Sequence, residues 1–333
     1  MSYKSELKGK YYPQVFELQP DFQQVTLKLE LTNICNHQCL TCPHSKQTRP
    51  GRFMDPALAK RLIREAAELK VEKLALFLNG ESFLVKDLAA YIRYGKELGI
   101  PYIFLTTNGS VATREQLAAV LEAGLSSLKF SINAADAETY ARVHGRDDYD
   151  KVLENLRFIR QYRDERKLPC RILAGCVLTD ETKHQLDAYS RTIGTLVDDY
   201  LFMKPDNFGG YMVKELPSLY REDDSFSDPM IYRFEDKRLP CPLVFNSANV
   251  TCEGYLTLCC SEALNYMVTE DLNQMSLIDA WNSPRMIQIR QRHLAQDVVG
   301  TQCQLCIFNK PDTVEPLNRE LFCRSVPKAT EGD

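Results

Sequence analysis

The sequence has little of what marks a membrane or secreted protein. Its longest apolar stretches, such as residues 74–78, are strand-sized, whereas a helix that spans a bilayer needs about eighteen apolar residues. The amino terminus, MSYKSELKGK, is charged from the start and contains no apolar signal core. The sequence therefore predicts neither membrane insertion nor secretion, and we expect a cytoplasmic protein.

A marked excess of charge of one sign is also absent. The chain contains 45 acidic and 41 basic residues, which gives a formal net charge of −4. Because nucleic acids and anionic membranes attract strongly basic surfaces, neither is an expected partner. The sequence has no internal repeat and no low-complexity stretch. With 333 residues, of which 44% are hydrophobic, it is typical of a globular protein of about two domains.

Cysteine, by contrast, is abundant, with 12 residues in the chain. Three cysteines lie within residues 35–42 and seven lie between residues 241 and 323. A small secreted protein with so many cysteines would be held by disulfides, but this chain is long and carries no secretion signal. Clustered thiols in a reducing compartment more often bind metal or perform redox chemistry, and metal binding is our leading interpretation.

Strand-like and helix-like patterns alternate over residues 25–204. About six strand–helix units in some 180 residues indicate parallel strands joined by crossover helices. Because a complete eight-fold barrel takes about 250 residues, we expect an α/β fold that is either an incomplete barrel or an open doubly wound sheet. Both place ligands at the carboxyl ends of the strands. The predicted strands are 25–31, 73–78, 102–107, 127–133, 171–178 and 199–203, and the predicted helices are 54–69, 86–98, 114–123, 149–163 and 183–193.

The rest of the chain divides by composition into four further segments. The cysteine-rich segment predicts hairpin strands around Gly254 and one helix over 276–293, and thus a small α+β domain. The segments are an extension over 1–24, a linker that contacts substrate over 205–240, the cysteine-rich domain over 241–310 and a loosely ordered tail over 311–333.

The first cysteine group, Cys35, Cys39 and Cys42, has the spacing C-x3-C-x2-C directly after the first strand. Three thiolates on one loop can hold a cubane 4Fe–4S cluster, and a cluster bound wholly by protein takes four. One iron would therefore accept an outside ligand, such as the amine and carboxylate of an amino acid. The alternative is a structural zinc ion with His37 or His44 as the fourth ligand.

With this spacing, and in the context LELTNICNHQCLTCPH, the sequence resembles the radical S-adenosylmethionine (SAM) superfamily. Asn33 and Asn36 stand where that family commonly has them. The resemblance covers about residues 23 to 310. It implies a partial (β/α)6 TIM-like barrel and a SAM-binding 4Fe–4S cluster on the three cysteines. It also implies reductive cleavage of SAM to a 5′-deoxyadenosyl radical, with electrons from a flavodoxin- or ferredoxin-type donor.

The resemblance also implies SAM contacts at the ends of the second and third strands. The family has a GGEP-like turn that holds the methionine amine, and here the turn reads Asn79, Gly80, Glu81 and then Ser82. Gly80 and Glu81 match the family, whereas the residues on either side depart from it. The third strand ends in Thr107 and Asn108, which we expect to face the ligand.

On the fourth strand, Lys129, Ser131 and Asn133 share one face by period two, which predicts a polar stripe inside the barrel. The resemblance implies that Ser131 or its neighbour contacts the SAM ribose. Arg142 is the candidate for the carboxylate of SAM, because a guanidinium group matches a carboxylate fork. An exposed helical arginine in a salt bridge is an equally weighted alternative.

The second cysteine group reads C-x12-G-x4-C followed by C-x2-C. By itself this spacing also suits a zinc ribbon. Behind a radical SAM barrel it resembles the auxiliary-cluster domain called SPASM, or its shorter form, twitch. That resemblance implies one auxiliary 4Fe–4S cluster on Cys241, Cys259, Cys303 and Cys306. Cys259 and Cys260 would point in opposite directions on a strand, and Cys252, Cys260 and Cys323 are not assigned.

The resemblance favours an oxidoreductase that dehydrogenates a secondary alcohol of a small sugar- or aminocyclitol-like molecule, with the auxiliary cluster as electron acceptor. Lys204, directly after the sixth strand, is the first candidate for the group that assists proton loss, and Asp206 is the second. The short segment before the first strand favours a small substrate over a peptide. The alternatives are an epimerase with a cysteine hydrogen donor, a peptide-modifying enzyme and a non-catalytic iron–sulfur or zinc module.

Overall fold

The computed structural model describes residues 16–212, 231–232, 239–308 and 312–326. These residues form one ten-stranded sheet in the order β10-β9-β8-β1-β2-β3-β4-β5-β6-β7. The strands are β1 (Thr26–Leu29), β2 (Lys73–Ala75), β3 (Tyr102–Thr107), β4 (Ser127–Ser131), β5 (Arg171–Val177), β6 (Asp199–Met203), β7 (Ile231–Tyr232), β8 (Ser247–Val250), β9 (Tyr255–Thr257) and β10 (Val268–Asp271). Each pair of neighbours from β1 to β7 is parallel, which confirms the predicted α/β fold and its six parallel strands.

Helices connect the strands and cover the sheet. They are α1 (Pro56–Glu68), α2 (Leu88–Glu97), α3 (Arg114–Glu122), α4 (Ala137–His144), α5 (Tyr149–Arg166), α6 (Leu186–Thr192), α7 (Leu243–Asn246), α8 (Leu277–Trp281), α9 (Pro284–Leu294), α10 (Gln302–Phe308) and α11 (Arg319–Ser325). In the described part of the chain, no helix combines the length and the apolar character that a membrane crossing requires.

Local sequence explains where these elements begin and which side they bury. The carboxylate of Asp55 accepts the N–H groups of Ala57 and Leu58, and Pro56 occupies the first turn of α1. One side of α1 then buries Leu58, Ala59, Leu62, Ile63 and Ala66 against the sheet. Strand β3 alternates buried and half-buried residues along its length, so that one face joins the core and the other lines the inside of the barrel.

The cysteine-rich domain is joined to the barrel through the sheet itself. Strand β8 pairs in parallel with β1, from Thr26 opposite Ser247 to Leu29 opposite Val250. Strands β9 and β10 then add antiparallel neighbours. The predicted turn at Gly254 is confirmed: its φ is +88°, and a Cβ atom there would lie 2.6 Å from Asn273 Nδ2. The auxiliary domain is therefore paired with the first strand of the barrel.

Two expectations about secondary structure are wrong, and one helix, α4, has no counterpart among the predicted elements. The helix predicted over 276–293 is broken into α8 and α9, because Ser283 caps and Pro284 begins a new helix. The tail predicted to be loosely ordered contains α11, and its Leu321 packs with Tyr255 and Val268.

Candidate active site

The first cysteine group lies on the loop that follows β1, and backbone hydrogen bonds fix that loop to the end of α4. Gln38 N–H donates to the His144 carbonyl at 3.2 Å, and Leu40 N–H donates to the Val143 carbonyl at 2.8 Å. The residue between these two donors is Cys39. The middle cysteine of the group is thus held from both sides.

The thiols of this group suit a metal cluster. Burial raises the pKa of Cys39 well above its usual value, and the nearby thiolates of Cys42 and Cys35 raise it further. Burial also raises the pKa of Cys42 to about 11. Three thiolates so close in a buried place repel one another unless a cation holds them. Three thiolate ligands on one loop fit a 4Fe–4S cluster with one iron left for an outside ligand.

Gly80 lets the turn after β2 approach the cysteine loop. A Cβ atom at this position would lie 2.2 Å from the carbonyl oxygen of Thr32 and 2.8 Å from that of Ile34. The next N–H, that of Glu81, donates to the Ile34 carbonyl at 2.9 Å. Any side chain at residue 80 would push the loop away from the turn.

Glu81 joins the ends of β2 and β3 with its carboxylate. Oε1 accepts hydrogen bonds from Phe83 N–H at 3.0 Å and from Thr107 Oγ1 at 2.8 Å, and Oε2 accepts one from Asn108 N–H at 2.8 Å. Burial raises the pKa of Glu81, although these hydrogen bonds oppose the rise. The carboxylate therefore holds the ends of the two strands together. Because the carboxylate is occupied in this way, a contact between Glu81 and SAM stays a prediction, and it concerns the backbone atoms of Glu81.

Asn108 extends this connection to the cysteine loop. Its side-chain amide donates to Asn36 Oδ1 at 2.9 Å and lies 3.8 Å from the Sγ atom of Cys35. The structure thus brings the predicted residues Gly80, Glu81, Thr107 and Asn108 together at the cysteine loop.

The fourth predicted turn residue, Asn79, has a different set of contacts. Its amide donates to Glu30 Oε1 at 3.0 Å and to the Glu262 carbonyl at 2.7 Å. Residue 262 belongs to the auxiliary domain. The asparagine that replaces the family's glycine at this position therefore links the two domains through its side chain. A contact between Asn79 and SAM stays a prediction.

The histidines near the loop bear on the zinc alternative. His44 Nε2 lies 2.9 Å from the Asn33 carbonyl, and His37 Nε2 lies 2.9 Å from Ser110 Oγ and 3.4 Å from Asp148 Oδ2. Ligand atoms of His37, Cys39 and His144 all lie within 4.8 Å of one another. His144 Nε2, however, accepts the Asn133 N–H at 3.0 Å, so the ring proton sits on Nδ1 and that atom has no lone pair for a metal.

The inner face of β4 carries the predicted polar stripe. Lys129 and Ser131 are half-buried, whereas Leu128 and Phe130 are buried on the other face. Burial and the neighbouring ammonium group of Lys28, on β1, lower the pKa of Lys129 to about 8. Period two identified the stripe, but nothing in the sequence singled out Lys129 or paired it with Lys28.

Two further predicted residues have structural contacts. Asn133 Oδ1 accepts Val177 N–H at 2.8 Å and so links β4 to β5. Arg142 is half-exposed on α4, where it pairs with Glu138 at 2.7 Å and with Glu181 at 3.2 Å. Among the described residues, Arg142 therefore forms the surface salt bridges that were the alternative to a role in SAM binding. A contact between Arg142 and the carboxylate of SAM stays a prediction.

The second cysteine group also comes together. Burial raises the pKa of Cys303, and the thiols of Cys241 and Cys306 raise it further. The pKa of Cys259 is raised by its hydrogen bond with Cys260, by burial and by Cys241 and Cys306. Cys241 and Cys306 therefore lie close to both Cys303 and Cys259. Four thiolates would complete the coordination of a cluster without an outside ligand.

Cys260 does not point away from Cys259, as a strand would require, because the two residues lie in the turn after β9. The hydrogen bond with Cys259 lowers the pKa of Cys260, and the ammonium group of Lys28 lowers it further. Cys260 also interacts electrostatically with Lys129. The turn that carries the auxiliary cysteines thus meets the lysines of the barrel interior. Cys252 is buried, and Cys323 is exposed on α11.

A buried ion-pair network joins the barrel to the cysteine-rich domain. Arg49 Nη2 lies 2.5 Å from Glu30 Oε2 and 2.6 Å from Glu253 Oε2, and the side chains of Arg49 and Glu30 have no exposed surface. The Cys252 N–H also donates to Glu30 Oε2 at 2.9 Å. No local pattern in the sequence indicates this network, because 19 and 204 residues separate Arg49 from its two partners.

Two family models match the chain. The model of the radical SAM superfamily matches residues 29–188, and the model of an iron–sulfur cluster-binding domain, SPASM, matches residues 241–307. The chain belongs to the radical SAM superfamily. It is an enzyme whose cofactors are SAM, a 4Fe–4S cluster and the iron–sulfur centre of the SPASM domain. The non-catalytic alternative is therefore wrong.

Individual relatives match about two fifths of the chain in sequence and more of the chain in fold. A probable GTP 3′,8-cyclase of Pyrococcus horikoshii is 34% identical over 135 residues, which is 39% of this chain and 41% of that protein. The chain thus spans about two fifths of the length of the curated relatives it matches. BtrN in complex with AdoMet and 2-DOIA is 17% identical over 83% of this chain and 94% of that chain, with a TM-score of 0.53. Streptococcus suis SuiB bound to the precursor peptide SuiA is 15% identical over 86% of this chain and 69% of that chain, with a TM-score of 0.62.

Proposed function

We propose that this radical SAM enzyme oxidises a secondary alcohol of a small polar, sugar- or aminocyclitol-like substrate to a ketone. The bound cluster and SAM supply the 5′-deoxyadenosyl radical that removes a hydrogen atom from the carbinol carbon. The observation that carries the proposal is the lysine Lys129, which lies on the inner face of β4 and interacts electrostatically with Lys28 and Cys260. The protein's own task is to hold the alcohol there and to accept its proton.

Lys129 has the properties of a proton acceptor. In the described part of the chain its Nζ atom takes part in no hydrogen bond or ion pair. Its pKa of about 8, lowered by burial and by Lys28, gives a useful fraction of neutral amine near neutral pH. Lys204, half-buried directly after β6, is the acceptor proposed from the sequence and is the second candidate. Asp206 is the third, and it accepts a hydrogen bond from Ser261 Oγ at 3.1 Å.

The oxidation balances if the alcohol gives up three things. The carbon loses a hydrogen atom, the oxygen loses a proton to the lysine, and the resulting substrate radical loses one electron. The electron acceptor is one auxiliary 4Fe–4S cluster on Cys241, Cys259, Cys303 and Cys306. The electrostatic contact between Lys129 and Cys260, next to Cys259, supports a short distance from substrate to acceptor. We also propose a flavodoxin- or ferredoxin-type protein as the donor to the first cluster.

The experiment uses anaerobically reconstituted enzyme with SAM, a reductant and a panel of sugar alcohols, aminocyclitols and short peptides. We expect 5′-deoxyadenosine together with a product that has lost two hydrogens. Lys129→Met should slow product formation tenfold or more and leave SAM cleavage nearly intact, and Lys204→Met is the matched comparison. A normal rate for Lys129→Met would exclude this lysine, and an oxidised peptide would replace the proposed substrate class.

One observation favours epimerisation as a second candidate. Among the unassigned cysteines, Cys260 is the one that interacts with Lys28 and Lys129, whereas Cys252 hydrogen-bonds with Arg49. A thiol at this place could return a hydrogen atom to the substrate radical. Epimerisation would leave the mass of the product unchanged in H2O and add one deuterium in D2O. Cys260→Ala would abolish epimerisation, whereas a dehydrogenase with the same substitution would still form its oxidised product.

A further inference from the structure

The side chain of His144 meets the first cysteine group at its middle member. His144 Nδ1 lies 3.4 Å from the Sγ atom of Cys39. The backbone on both sides of Cys39 is bound to the last turn of α4, through Gln38 N–H and Leu40 N–H. Two main-chain hydrogen bonds therefore hold the backbone of Cys39 beside the end of the helix that carries His144.

The other ring nitrogen decides which atom carries the proton. His144 Nε2 lies 3.0 Å from the backbone nitrogen of Asn133. A backbone N–H can only donate, so Nε2 must offer a lone pair. The ring proton of the neutral imidazole then resides on Nδ1, and this N–H points at the Cys39 sulfur. The same argument excludes His144 Nδ1 as a metal ligand, because the atom has no lone pair left.

The ring cannot readily turn away. His144 has no exposed surface. It stacks on the ring of Tyr140 at a centroid distance of 4.1 Å with an interplanar angle of 16°, and it meets the edge of His37 at 5.4 Å. Gly145, next in the chain, has a φ of +67°, and a Cβ atom there would lie 2.9 Å from the Gln38 carbonyl oxygen. The end of helix α4 and the loop that carries the first cysteine group thus fit closely together.

We infer that His144 tunes the SAM-binding cluster by donating a hydrogen bond from Nδ1–H to the Cys39 thiolate that ligates it. Hydrogen bonds to the sulfurs are among the factors that set the potential of an iron–sulfur cluster. Reduction adds negative charge to the cluster and its sulfurs, so an N–H dipole aimed at one sulfur stabilises the reduced form. His144 is a positioning and tuning residue, not a catalytic one, and it makes the cluster easier to reduce.

The test is an anaerobic redox titration of the enzyme with all its clusters loaded, followed by EPR without substrate. The signal whose g values change when SAM is added identifies the first cluster. His144→Phe keeps a stacked ring but removes the donor. At the potential where the wild-type cluster is half reduced, the ratio of reduced to oxidised cluster in His144→Phe should be about tenfold lower than in the wild type. This corresponds to a reduction potential that is about 59 mV more negative for a one-electron couple.

Three comparisons separate the hydrogen bond from a general effect on structure. His144→Asn retains an N–H donor near the Nδ1 position and should stay within about threefold of wild type. Tyr140→Phe keeps the stacked ring and removes only a hydroxyl group that has no partner among the described residues, so it should not change the ratio. The auxiliary cluster in each variant serves as the internal reference.

An unchanged ratio in a fully loaded His144→Phe variant would overturn the inference. Should that variant fail to load its cluster, the wild-type enzyme gives the answer by pulsed EPR. We expect an exchangeable deuteron coupled to the first cluster after transfer to D2O, which is lost in any loaded variant without the donor. A strong nitrogen coupling typical of a ligated imidazole would instead make His144 a ligand and would refute the hydrogen bond.

Discussion

Replacement of Arg49 is the sharpest test of how the two halves of the protein are joined. Arg49 lies between the carboxylates of Glu30 and Glu253, at 2.5 and 2.6 Å, and none of the three side chains is more than 3% exposed. Arg49→Met keeps most of the volume but leaves two buried carboxylates without a counter-charge. Breaking a buried ion pair by removal of one partner costs about 3–5 kcal/mol.

This cost converts to a change in melting temperature. An unfolding entropy of roughly 2.1 cal/mol/K per residue, for 333 residues, gives roughly 0.7 kcal/mol/K for the whole chain. We therefore expect the melting temperature of Arg49→Met to lie about 4–7 °C below that of wild type at pH 8. The measurement is calorimetry on anaerobic, cluster-loaded protein at one fixed scan rate, because unfolding of such a protein is not reversible.

The difference in stability between Arg49→Met and the wild type should also depend on pH, in a direction that follows from the pKa of Glu253. In the wild type, burial raises the pKa of Glu253, but the charge and hydrogen bonds of Arg49 outweigh burial and lower it. That carboxylate stabilises the fold above its unfolded pKa of about 4.3 and stops doing so as the pH falls through the folded value. Without Arg49, burial dominates and raises the pKa of Glu253, so that this carboxylate prefers the protonated form. The difference between variant and wild type should therefore narrow as the pH falls from 8 to 5.

Two further variants control the interpretation. Arg324→Met removes a half-exposed arginine that pairs with Glu320 and, at 3.6 Å, with Asp271, and it should cost less than about 1 kcal/mol. Adding Glu253→Gln to Arg49→Met removes one of the two uncompensated charges and should recover part of the loss. If Arg49→Met is no less stable than Arg324→Met, the carboxylates are hydrated and our account of the network is wrong.

Three further predictions concern the two cysteine sites and Lys129. Gly80→Ala, whose Cβ atom would lie 2.2 Å from the Thr32 carbonyl oxygen, should reduce SAM cleavage at least tenfold, and normal cleavage with normal iron content would contradict the close approach. Cys303→Ala should lose the auxiliary cluster but still release 5′-deoxyadenosine, with no oxidised product; retention of product would exclude that cluster as the acceptor. The rate of product formation should rise with pH to a plateau above about 8, the pKa of Lys129. Lys28→Met should move this plateau to higher pH, because the loss of the neighbouring cation raises the pKa of Lys129. A rate independent of pH between 6.5 and 9, measured where chemistry is rate-limiting, would exclude Lys129 as the proton acceptor.

The sequence by itself determined the repeating strand–helix units and predicted which cysteines ligate the clusters. Period-two and helical spacing are local, so they identify strands such as β3 and helices such as α1 without knowledge of their partners. The spacing of Cys35, Cys39 and Cys42 is equally local, because three ligands on one short loop need no help from the fold. Residues that directly follow a strand, such as Gly80 and Asn108, could be predicted because parallel strands end at the same edge of the sheet.

Only the tertiary structure decided how these parts are joined. Strand β8 pairs with β1 across more than two hundred residues of chain, and no local pattern encodes such a pairing. The contacts of Arg49 with Glu30 and Glu253, of His144 with Cys39, and of Cys260 with the lysines are side-chain contacts between elements distant in sequence. Their energies depend on burial, because a charge or an N–H group acts strongly where water is excluded. Burial is a property of the folded packing, and so the electrostatics of the site emerged only with the fold.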